Sequence, residues 1–174
     1  MKLITIVNTI SAVSLIVCMT ACEPKQKQDD SAEMAEEKND STFSDRDDEK
    51  DADFVVNTVA GNYAEIKLAQ LALNKSSDSK VKEMATKLEA DHTKILNDLK
   101  AYADKHGIVV PMEETDEAAK DMDKLEEKTA KDFDEEWCEM LEDNHQKTIN
   151  KFEARIDKTE DAELRTGYPL PFRV

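Results

Sequence analysis

Long stretches of this chain run without a helix breaker. Its 174 residues hold only 3 glycines and 4 prolines, too little turn chemistry for a fold built of strands. Apolar residues instead recur at helical spacing. Phe54, Thr58, Gly61, Glu65, Leu68, Ala69 and Ala72 share one face of a first helix. Val81, Met84, Ala85, Leu88, His92, Ile95, Leu96, Leu99, Tyr102, Ala103 and His106 stripe a second, which Gly107 stops at a C′ position. Residues 114–128 form a short amphipathic crossover with thin apolar content. Phe133, Trp137, Met140, Leu141, His145, Thr148, Phe152 and Ile156 stripe a last helix over 130–158. The fold class is all-α: an antiparallel bundle of three long helices and one short one, occupying 54–165. Gly61 implies the close approach of a neighbouring helix, because glycine costs about 1 kcal/mol of helix propensity.

Within this pattern a ten-residue segment repeats. Leu88-Glu89-Ala90-Asp91-His92-Thr93-Lys94-Ile95-Leu96-Asn97 returns as Leu141-Glu142-Asp143-Asn144-His145-Gln146-Lys147-Thr148-Ile149-Asn150. Each copy places a glutamate three residues before a histidine, roughly on one side of a helix. Both histidines fall on apolar stripes. Glu65 sits near the middle of the first stripe, where an unpaired carboxylate is costly. Glu65, His92 and His145 therefore point inward from three helices. Glu89 and Glu142 fall at the flanks of their stripes.

Two chemistries suit this inward set. A hydrogen-bonded polar core that fixes helix register makes the chain a binding or structural protein. The alternative is a metal site, serving an oxidoreductase or a metal carrier. Di-iron bundles take a Glu from each of two helices and Glu-x-x-His from each of two others. Glu89 with His92 and Glu142 with His145 match the second requirement, and Glu65 half of the first. A fourth donor would come from Glu117, Asp121 or Asp123. A mononuclear site needs only Glu65, His92 and His145, and that donor set suits Fe, Zn, Mn or Cu. His106 reads as a helix-end histidine at the negative end of its helix. Phosphate loops, nucleophile elbows and Cys-His signatures are absent from the sequence. The net charge of −16 disfavours nucleic acid as a partner.

The first 53 residues differ in kind. Lys2, the apolar run 3–19 and then Met19-Thr20-Ala21-Cys22 read as a lipoprotein signal peptide over 1–21, with lipidation at Cys22. Between 22 and 53 there are thirteen Asp or Glu against five Lys or Arg, a composition that predicts a disordered acidic linker. The expected location is the bacterial cell envelope. The chain would be a periplasmic lipoprotein, held by its lipid most readily at the outer membrane; the acidic tract also suits surface display. Cys138 is left without an intramolecular partner.

At Phe54-Val55, Gly61, Glu65-Ile66-Lys67-Leu68, Ser79-Lys80-Val81-Lys82, Asp91-His92-Thr93-Lys94, Gly107, Pro111, Phe133-Asp134, Trp137, His145 and Phe152-Glu153 the chain resembles the bacterial envelope family known as domain of unknown function 4142. The resemblance spans about 53–164 and implies a ferritin-like helical bundle behind a signal peptide. It names no activity. The family usually has Asp before both histidines, whereas Asn144 precedes the second here, and aliphatic residues where Glu89 and Glu142 stand. It also continues into a further helix, whereas 166–174 holds Gly167, Pro169 and Pro171, which cannot continue one. The expectation is an aberrant, truncated tail, with a bundle face covered by a second copy or a partner helix.

Overall fold

A computed structural model describes residues 30–166. The signal peptide, Cys22 and all of the tail except Thr166 lie outside the described residues. The elements are α1 (Ser31–Asp40), α2 (Arg46–Lys75), α3 (Ser79–His106), α4 (Asp116–Glu126), α5 (Ala130–Ile156) and α6 (Ala162–Arg165). The fold is an all-α helical bundle. Among the described residues no helix is long and apolar enough to cross a membrane.

Each helix begins on a side-chain cap that satisfies backbone N–H groups otherwise left unbonded. Asp30, Asp45, Asp78, Thr115, Thr129 and Asp161 fill these positions. Gly107 closes α3 in the left-handed region at φ 70°, which a side chain would strain.

α2 is the centre of the bundle and packs against α1, α3, α4 and α5. Its partners in α3 run in reverse order, with Tyr63 meeting Lys100 and Gln70 meeting Glu89. Those in α5 do the same: Asp51 meets Arg155, and Leu68 meets Trp137. Both helices are therefore antiparallel to α2. α4 runs along it in the same sense, since Lys67 binds Glu114 and Lys75 binds the Glu126 carbonyl.

Two large apolar clusters and a smaller one under α1 fill the interior. One joins Val55 and Val59 of α2 to Ile95, Leu99 and Tyr102 of α3 and to Leu164 of α6. The other joins Leu68 and Ala72 to Leu125, Phe133, Trp137 and Leu141. Trp137 is fully buried, and its indole N–H donates to the Leu68 carbonyl at 2.9 Å. Trp137→Phe should cost about 1–3 kcal/mol, from the lost hydrogen bond and a partly refilled cavity. Denaturant midpoints read this directly.

The predicted disordered linker does not hold over 30–53. α1 and the first turns of α2 occupy that span, and α2 begins eight residues before Phe54. The ordering forces are polar. Asn39 is fully buried, and its amide donates to the Val109 carbonyl while accepting from the Val109 N–H, both at 2.8 Å. Asp51 accepts from Arg155 Nε at 2.5 Å and from Thr159 at 2.7 Å, and all three residues are buried. Ala32 and Ala35 cover Val56 and Ala60.

α1 thus covers Val56 and Ala60 of α2, and Leu164 of α6 adds to the first cluster. Among the described residues the exposed large apolar side chains are Met34, Met84 and Met112. Gly61 also departs from expectation. A Cβ built there meets nothing within 4 Å, so it marks open space rather than close helix packing.

Candidate functional site

The three inward residues meet. Glu65 of α2, His92 of α3 and His145 of α5 each offer a ligand atom, and these atoms lie within 4.8 Å of one another. They occupy the junction between the two large apolar clusters. Glu65 and His92 are buried and His145 is partly so. The imidazole centroids are 5.7 Å apart, with the rings nearly perpendicular at 89°.

Neighbouring groups fix which nitrogen of each ring carries the proton. The Asn62 amide nitrogen donates to the Thr58 carbonyl at 2.7 Å, which leaves its oxygen facing His92 Nδ1 at 2.9 Å. That oxygen only accepts, so Nδ1 of His92 donates. His145 Nδ1 faces the Leu141 carbonyl at 2.8 Å, which also only accepts. In the neutral form, each imidazole therefore carries its lone pair on Nε2. A histidine held through one ring nitrogen by a carbonyl or amide, with the other presented, is the usual arrangement at protein metal sites.

Electrostatics sharpen the picture. Burial pushes the His92 pKa down to about 4, helped by the charge on His145 and opposed by Asp91. His92 is therefore neutral at pH 7. Burial pushes Glu65 up to about 6, against the lowering effects of His145 and a hydrogen bond from Asn144. Glu65 Oε2 is buried without a hydrogen-bond partner. A carboxylate oxygen in that state is costly unless a further group satisfies it.

The set opens onto a cavity of about 720 Å³ bounded by α2, α3, α4 and α5, in which Gly61 supplies bare wall. The size falls within the usual range for small-molecule sites. Lys147 and Lys151 line it from α5 and Lys158 from just beyond that helix, whereas Glu117 and Asp121 line it from α4.

Glu89 and Glu142 are not part of the set. Glu89 accepts from Gln70 at 2.8 Å across the α2–α3 surface, and Glu142 is exposed. Three residues span about 300° of helix, so each glutamate sits some 60° off its histidine and falls outside the narrow inward stripe. The di-iron pattern is thus incomplete. Glu117 and Asp121 reach the cavity wall but not the cluster, and Asp123 is exposed. His106 lies at its helix end as expected, stacked on Tyr102 and facing Asp161 and Glu163. Cys138 is exposed, and burial of its flank with nearby Asp134 pushes the thiol up, away from the reactive thiolate.

Asn62 escaped the sequence reading, and Thr58 and Asn144 entered it without a part in the site. Asn62 had only a weak signal, since it lies three residues before Glu65, about 60° round the helix from it. Asn144 had none, because adjacent residues on a helix point about 100° apart.

The family model described as "Domain of unknown function (DUF4142)" matches residues 32–167. The chain belongs to this family. The match takes in α1, in agreement with the helical start of the fold. No curated protein and no solved structure matches the chain.

Proposed function

We propose that this member of the family binds a single divalent transition-metal ion through Glu65, His92 and His145. The observation that carries the reading is the convergence of one carboxylate and two imidazoles on a cavity, with Glu65 Oε2 buried and without a hydrogen-bond partner. Two imidazoles and a carboxylate suit Fe, Zn, Mn or Cu. A shared ion with bonds of about 2.1 Å holds its donors about 3–3.5 Å apart, so side-chain rotations of roughly an ångström complete the site. Asn62 and the Leu141 carbonyl hold the two rings, and Asn144 steadies Glu65. When bound, the ion supplies Lewis acidity or redox chemistry; three protein donors leave it positions for an outside ligand.

The test is elemental analysis of the purified chain after loading with Zn²⁺ or Fe²⁺ and dialysis. About one equivalent should remain on the wild type and well under a tenth on His92→Ala. Equal retention by both would place the metal elsewhere.

The hydrogen bonds from Asn62 and Asn144 also support a register-fixing role for the same residues. Under that reading alone, added metal leaves the unfolding midpoint unmoved, and Glu65→Gln and His92→Ala couple in a double-mutant cycle. Attachment to an envelope membrane through lipid on Cys22 belongs to the same proposal, and rests on the sequence before that cysteine. Cys22→Ala should move the protein from the membrane to the soluble fraction; retention at the membrane would refute lipid anchoring.

A further inference from the structure

Resting on that metal reading, we propose that the cavity beside Glu65, His92 and His145 takes a small carboxylate anion with a short apolar body, which completes the metal site from the α5 side. Three features of the molecule lead there.

The first is charge balance. The cluster holds a single carboxylate, Glu65, and two imidazoles. Asn144, beside His145 and hydrogen-bonded to Glu65, is an amide and adds no charge. A divalent ion in this set leaves a net charge of +1 among buried groups, with Glu65 7% and His92 6% exposed. An uncompensated charge in such surroundings is costly, and an anionic ligand removes that cost.

The second is room. Three protein donors leave an ion of this class at least one open position. Glu65, His92 and His145 all line the cavity of about 720 Å³, far more than the roughly 30 Å³ that one water occupies.

The third is the make-up of the walls. The chain carries −16 overall, yet Lys147 and Lys151 of α5 and Lys158 just beyond its end all line the cavity. None of the three forms an ion pair with a described residue. Lys147 and Lys151 stand four apart, one turn along the helix. Glu117 and Asp121 of α4 and Asp53 of α2 also line it and repel an anion, which favours a place beside the α5 lysines. Phe54 and Phe152 meet edge to face at 4.6 Å, and both line the same space. These rings suit a hydrocarbon body and give nothing to an inorganic oxyanion. A carboxylate on a short chain uses both kinds of wall.

The experiment uses the full chain loaded with Co²⁺, whose visible absorption reports ligand exchange at the metal. It is titrated separately with acetate, butanoate and inorganic phosphate. Both carboxylates should change the spectrum saturably, with butanoate binding several-fold tighter than acetate and phosphate weakest. Lys147→Ala combined with Lys151→Ala should weaken butanoate roughly three- to tenfold, with the difference shrinking at high salt. Asn144→Asp should keep cobalt and weaken butanoate at least about tenfold, because a second carboxylate neutralises the site. Cobalt bound with a spectrum indifferent to both carboxylates overturns the proposal. Phosphate binding tighter than butanoate overturns the ligand class. Butanoate binding unchanged in Asn144→Asp overturns the charge argument. Failure to take up cobalt at all overturns the metal reading beneath it.

Discussion

Glu65→Gln is expected to abolish metal binding while making the metal-free protein more stable at pH 7. The two effects share one cause. Glu65 is buried, and its pKa lies near 6 in the folded chain against a usual 4.5. At pH 7 it is ionised in both states, and holding that charge in the fold costs about 2 kcal/mol. The folded state therefore takes up its proton first, so acidification through the window from about 6 to 4.5 stabilises the wild type at this residue. Glutamine has the same shape and no charge. It should gain about 2 kcal/mol at pH 7, and the gain should fade toward zero by pH 4.5. Loss of a ligand should weaken metal at least about a hundredfold, more than the 10- to 100-fold typical of residues behind the ligands.

His92 has the opposite sign. Its folded value near 4 lies below the usual 6.5, so the unfolded chain binds the proton first. Stability from His92 is complete above pH 6.5 and falls by about 3 kcal/mol as the pH drops to 4. In the wild type the two trends partly cancel. In Glu65→Gln the His92 loss stands alone, and its acid unfolding should be steeper. Urea midpoints of both proteins at pH 7, 5.5 and 4.5 check this. A difference that stays constant with pH would mean that Glu65 is not held in a charge-hostile site. Stability given up at a residue that function needs is a common trade.

Asp51→Ala is expected to destabilise the bundle by about 3–5 kcal/mol, the cost of stripping one partner from a buried ion pair. Arg155 would lose its carboxylate and Thr159 its acceptor, while Arg155 Nη2 would keep only the Asp47 carbonyl at 2.9 Å. Replacing the pair together, Asp51→Leu with Arg155→Met, should restore most of the loss, because two apolar side chains need no partners. Thermal or denaturant midpoints distinguish the two variants. An Asp51→Ala protein as stable as the wild type would mean that the N-terminal turns of α2 do not hold α5.

Asp51 also explains why the start of the fold was illegible. What 30–53 buries is Ala32, Ala35, Asn39, Asp51 and Ala52. Alanines carry little hydrophobic signal, and Asn39 and Asp51 are ordered by hydrogen bonds to Val109, Arg155 and Thr159, 70 to 108 residues away. Composition registers only the acidic surface of the same helices. By contrast α3, α4 and α5 were legible, because Ile95, Leu99, Leu125, Phe133 and Trp137 recur at helical spacing and are buried for that reason.

The site was legible where a polar side chain interrupts an apolar stripe, as at Glu65, His92 and His145. It misled at Glu89 and Glu142, where spacing matched a di-iron motif and angle did not. It was silent at Asn144, whose role depends on Glu65 from another helix. Gly61 was read as a packing residue and is cavity wall.

The most direct measurement is a crystal of the chain grown with Co²⁺ and examined at the cobalt absorption edge. The account predicts one anomalous peak within about 2.0–2.2 Å of a Glu65 oxygen, His92 Nε2 and His145 Nε2. A peak at other residues, or none at this cluster in a cobalt-saturated crystal, would contradict it.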